Sequence, residues 1–141
     1  MPVVILDDVE AAPPELAAQI PARAELLKVL PGPDRPDYCL ALLENRTIFR
    51  PPEGFDASTI EPEFLRHDDD GTPVILVYAV VMCSRFAGQQ IAPDMKDLWV
   101  NLAFITDNSL LRDDRLDFAK IAPVGVVRIN LDPTTESFRR R

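Results

Sequence analysis

The sequence predicts an α+β domain, with a mainly antiparallel sheet of about five strands packed by one N-terminal helix and a short second helix. Three observations predict it. Val74 to Cys83, V-I-L-V-Y-A-V-V-M-C, runs ten residues without a charge, and five of them are β-branched. Branching at Cβ suits a pleated strand, and a strand without polar alternation is usually covered on both faces. Leu16, Ile20, Ala24, Leu27 and Leu30 recur at near-helical spacing. The second half is rich in strand patterns separated by segments too short or irregular for a βαβ series, which favours antiparallel pairing.

Taken in order, Val3 to Leu6 reads as a short opening strand, and Asp7 to Pro14 as an acidic, proline-containing connector. Glu15 to Leu30 reads as the principal helix. Pro21 forces a choice between a kinked helix and a short turn followed by a helix that starts at Pro21; proline is welcome at the first helical position, so the second is preferred. Pro31 and Gly32 end it, and Pro33 to Asp37 is a rigid loop. Tyr38 to Leu43 and Thr47 to Phe49 predict a hairpin turning at Glu44-Asn45-Arg46.

Pro51 to Gly71 has little periodicity and is long for a loop inside a compact domain. It is expected to be the most mobile internal segment, apart from a helical turn at Ile60 to Leu65 that docks Phe64 and Leu65. The central strand Val74 to Cys83 follows, then a connector from Phe86 to Met95 and a strand over Asp97 to Thr106. Asp107-Asn108-Ser109 turns the chain or caps the second helix, Leu110 to about Ala119. Val124 to Leu131 is the last strand, ended by Asp132 and Pro133. One domain is expected over residues 1–136, with residues 137–141 a frayed basic tail.

Composition narrows the function classes. The formal net charge of −8 disfavours nucleic-acid and anionic-membrane partners, because such a surface repels phosphate. The opening M-P-V-V-I-L-D-D lacks a basic leader region, and Cys39 and Cys83 lie in apolar runs as expected of buried, reduced thiols, so a cytoplasmic location is expected.

No cofactor, metal or catalytic residue is assigned. His67 stands in R-H-D-D-D-G, but no glutamate closes the spacing of a calcium loop, and the two cysteines do not complete a zinc set around one histidine. Ser84 lacks the small flanking residues of a nucleophile elbow. Asp113, Asp114 and Asp117 with Arg112 and Arg115 read as an exposed helical face.

The remaining constellation lies on two strands. Leu98, Val100, Leu102 and Phe104 form one face, and Trp99, Asn101, Ala103 and Ile105 the other. In the last strand Val127, Ile129 and Leu131 oppose Val126, Arg128 and Asn130. Trp99, Asn101, Arg128 and Asn130 are therefore expected to form a partner or ligand surface. The first expectation is a non-catalytic protein-interaction domain that forms a homodimer and binds another protein, in an accessory, chaperone-like, immunity or inhibitory role. The second is a small-molecule-binding protein or enzyme with a pocket on this mixed face. A flat or convex mixed face favours the first and a closed, concave, partly polar cavity the second.

Overall fold

The computed structural model describes residues 3–30, 38–51, 56–85, 96–107, 109–112, 116–117 and 121–132. Seven strands are present among them: β1 Val3–Ala11, β2 Ala22–Leu30, β3 Tyr38–Phe49, β4 Leu65–His67, β5 Pro73–Ser84, β6 Leu98–Ile105 and β7 Ile121–Leu131. Each pairing is antiparallel, and the order β3-β2-β1-β7-β6-β5 is closed by pairing of β3 with β5. The result is a closed six-strand antiparallel β-barrel, with β4 added on the free part of the β5 edge. This overturns the expected α+β sheet packed by a helix.

The expected helix over Glu15 to Leu30 is one turn, α1 Pro14–Ala17, followed by strand β2. A break falls between them, at a cis peptide joining Ile20 to Pro21. The helical spacing of the apolar residues has another cause. Ala24 and Leu26 point into the barrel, and a register shift between Leu26 and Lys28 then changes the phase. Leu27 and Leu30 consequently pack on the outer surface. An extra residue in a strand turns a period of two into mixed steps of two, three and four, which mimics a helical stripe. The single helical turn still packs apolar surface. Leu16 is 1% exposed and covers the core at one end of the barrel. Gln19 Nε2 donates to Thr47 Oγ1 at 2.6 Å, and Arg50 N donates to Glu15 Oε2 at 3.1 Å, tying the turn to β3 and its end.

The expected hairpin at Glu44-Asn45-Arg46 is a bulge within one continuous strand. Both halves of β3 pair with β5, Leu42 opposite Ala79 and Thr47 opposite Val77. Four residues of β3 thus face Tyr78 alone, and the chain bends there without reversing. The three polar residues stay exposed, and the Arg46 guanidinium lies 4.5 Å from the Tyr78 ring centre.

β5 is buried on both faces as its composition requires. Val77, Val80 and Met82 point into the barrel; Ala79, Val81 and Cys83 belong to an outer apolar cluster that also holds Leu116 and Ile121. The inner face is covered by closure of the sheet, and the outer one in part by chain that follows β6. There Asp107 Oδ1 accepts from Ser109 N at 2.6 Å at the start of α2, Ser109–Arg112. The expected second helix, Leu110 to about Ala119, is helical at its start, but Leu116 and Asp117 within it are not helical. Phe49 and Phe104 meet at the centre of the core with ring centres 4.3 Å apart.

The stretch expected to be mobile is built into the fold over 56–71. Ala57–Thr59 forms a 3-10 turn, Ile60 and Phe64 are buried, and Leu76 N donates to Phe64 O at 2.8 Å. Its apolar residues are too few to show a period, yet each fills a place in the core. The loop Pro33 to Asp37, the connector Phe86 to Met95, the aspartates Asp113 and Asp114, and the tail 137–141 lie outside the described residues.

Gly125 lies where β7 crosses close to the end of β1. A Cβ there would sit 1.8 Å from the carbonyl oxygen of Ala11. The strand also begins earlier than expected, at Ile121, and accommodates Pro123 beside a register shift between Leu102 and Ala103, where a missing N–H is tolerated.

Candidate functional site

Alternation over the paired stretches 98–100 and 127–129 places Trp99 and Arg128 opposite each other on the outside of the barrel, while Leu98, Val100, Val127 and Ile129 fill its inside. The Arg128 guanidinium lies 5.8 Å from the Trp99 ring centre. Its Nε donates to Asp7 Oδ1 at 2.7 Å and lies 3.8 Å from Asp97 Oδ1. Asn130 Nδ2 donates to the other Asp7 oxygen at 2.7 Å, and Asn130 Oδ1 accepts from Asp97 N at 2.8 Å. Asp97 needs that anchor, because its φ of 52° is a left-handed conformation. The hydrogen bond to Asp7, with the nearby charges of Asp7, Asp97 and Asp8, raises the pKa of Arg128 further above its ordinary value, against a smaller opposing effect of desolvation.

The sequence pattern places Asp7 in a connector and points to neither it nor Asp97 as part of the site. Asp7 reaches the site because β1 continues through it with a register shift between Leu6 and Asp8. A bulge re-aims a side chain without ending the strand. The sequence signal was the break of the apolar run at Asp7 and Asp8, which also fits a strand end. A second ion pair borders the same wall: Arg85 bonds Glu10, and Arg85 N donates to Trp99 O at 3.1 Å. The wall formed by β1, β7 and β6 is the convex outside of a barrel.

Asn101 does not join this group. It is exposed, and its Nδ2 lies 3.9 Å from Cys83 Sγ. Together with Tyr38, Val81, Cys83, Ala103, Ile121 and Pro123 it lines a cleft of about 330 Å³ on the outer surface. Three of the four expected residues therefore form one polar cluster, and the fourth borders a mostly apolar hollow. A wider depression of about 490 Å³ lies at the end of the barrel beside Pro13, Pro14, Arg50 and Pro51.

The other candidate residues have structural surroundings. His67 is exposed on β4, opposite Pro73. In the loop after it, Asp68 Oδ1 accepts from the amides of Asp70 and Thr72, and Asp70 Oδ1 accepts from the Thr72 amide and hydroxyl. These oxygens serve the turn at Gly71. Ser84 is fully buried at the end of β5. Cys39 points into the core, and burial pushes its thiol up to about 11. Among the described residues no group of three or more His, Cys, Asp or Glu side chains is placed to hold a metal ion, and no helix is long and apolar enough to cross a membrane.

No protein-family model matches this chain, no curated protein matches it in sequence, and no solved structure matches it in fold.

Proposed function

We propose that this chain is a non-catalytic protein-interaction domain of the cytoplasm that works as a homodimer, with the wall of β1, β7 and β6 as its contact surface. The observation carrying this reading is the Trp99–Arg128 pair, partly exposed on a convex face and held by Asp7. Trp and Arg are the residues most enriched at interface hot spots. Side chains already fixed by hydrogen bonds lose little further freedom on binding. Closure pairs the six barrel strands with one another, so on this wall association uses side chains and not backbone edges. Closure of the sheet and the chain after β6 cover β5 without a second copy. The homodimer rests on the composition and order of the wall.

Trp99→Ala and Arg128→Ala should each weaken self-association about tenfold or more while leaving circular dichroism unchanged. Size exclusion with light scattering measures the mass. Val29 is 64% exposed on β2, which is not one of the three wall strands, and Val29→Asp serves as the control that leaves the mass unchanged. A wild-type chain that stays monomeric at several hundred micromolar would end the homodimer reading.

A further inference from the structure

We propose that the outer cleft beside β5, β6 and the start of β7 is a binding site for a small, neutral, largely apolar molecule of one or two rings, with one polar group that meets the Asn101 amide. The proposal goes beyond the contact wall and does not depend on it.

The cleft has a structural origin. Between Leu102, which faces Gly125, and Ala103, which faces Pro123, the β6–β7 ladder slips by a residue. Small side chains and a proline meet at that slip, and Ala103 projects outward where a larger residue would fill the space. Each described lining residue stands on a strand of the barrel.

Size and lining define the ligand. At about 330 Å³ the cleft falls in the range of small-molecule sites, roughly 300–1,000 Å³. It is about twice the volume of a cavity of about 150 Å³ that takes up benzene. Val81, Ala103, Ile121 and Pro123 supply apolar wall, and no charged side chain is among the described lining residues. A charged ligand would give up hydration there without a counter-ion, and an anion would also meet the field of a chain with net charge −8. Asn101 is exposed at the rim and carries both a donor and an acceptor, so it can meet either polarity of a single ligand group. Cys83 adds its thiol to the apolar wall, while Cys39 faces the other side of the sheet.

The test uses the whole chain and 6-propionyl-2-(dimethylamino)naphthalene, a neutral two-ring ketone whose emission rises and shifts to the blue in apolar surroundings. The expected result is saturable binding at one molecule per chain, read as a rise in the probe's emission that reaches a plateau. Ala103→Phe fills the cleft and should weaken binding at least about tenfold. Should that variant not fold, Asn101→Trp blocks the exposed rim and carries the same expectation. Absence of saturable binding would overturn the proposal, as would equal binding by a folded blocking variant. Loss of probe binding as protein concentration rises would show a second copy seated in the cleft and would overturn it too. Dimer mass measured in parallel separates these outcomes from the behaviour of the Trp99 wall.

Discussion

Gly125→Ala should destabilise the barrel far more than the addition of one methyl suggests. The new Cβ would stand 1.8 Å from Ala11 O, 2.6 Å from Ala11 C and 3.1 Å from Ala12 Cα. All three are backbone atoms, so no side chain can rotate away. An ordinary carbon–oxygen contact is at least about 3.3 Å, so the end of β1 must retreat by roughly 1.5 Å. That segment is not free to do so, because Ala11 pairs with Val126 and the turn α1 begins three residues later at Pro14. Overpacking costs typically about 1–3 kcal/mol when side chains can adjust, and here the cost should reach the top of that range or exceed it. Against a total stability of about 5–15 kcal/mol, this lowers the melting temperature by roughly 10 °C. Thermal unfolding followed by circular dichroism provides the measurement. A melting temperature within about 2 °C of wild type would mean that β1 and β7 do not cross as closely as described, and the register of that pair would have to be redrawn.

Val77→Asp should cost several kcal/mol, because it buries an unpaired charge at a position with 0% exposure, and urea titration or loss of soluble protein would register it; a cooperative transition at the wild-type midpoint would contradict the placement of β5. The Asp70 carboxyl is held at about 2, chiefly by its hydrogen bond with Asp68 and then by those from Thr72. Its folded pKa is depressed, so its contribution is complete above the unfolded value of about 3.9 and is lost as pH falls towards about 2; Asp70→Asn should flatten the acid limb in that window, and a carbon-13 titration of Asp70 with a midpoint near 4 would refute the turn geometry. Burial raises the Cys39 thiol to about 11, so iodoacetamide at pH 8 should leave it intact in the native protein, and early alkylation of Cys39 before unfolding would show that it does not face the core.

What the sequence made legible was local alternation. β5, β6 and β7 announce themselves by composition and by period two, and the same alternation put Trp99, Arg128 and Asn130 on one face, where they do meet. The errors share a physical cause. Register shifts at Leu26/Lys28 in β2, at Leu42/Thr47 in β3 and at Leu6/Asp8 in β1 break the period at single points. One was read as a helix, one as a hairpin and one as the end of a strand. A sequence pattern reports which residues are apolar along the chain, whereas a bulge is fixed by the partner strand. Closure of the sheet was invisible for the same reason, because it rests on β3 meeting β5 and β1 meeting β7. Asp7 was missed because only the shift in β1 directs it outward. Asn101 was grouped with Trp99 on the strength of a shared face, but two residues along a strand is about 7 Å, enough to carry it to a different surface feature.

The pairing of β1 with β7 sets an order of events during synthesis. Of the seven strands β1 is made first, and its neighbour on one side, β2, follows it closely in sequence, from Ala22, but its other neighbour spans Ile121–Leu131. Until that segment leaves the ribosome, β1 and β6 each present a row of unsatisfied backbone groups, and the sheet is an open, curled ribbon. Joining strands so distant in sequence is slow compared with making local contacts. The nascent chain therefore passes through a stage with two sticky edges, the kind of species that chaperones shield and that aggregates when left alone. A polypeptide stopped before β7 would be held at that stage, lacking the strand that seals both edges at once.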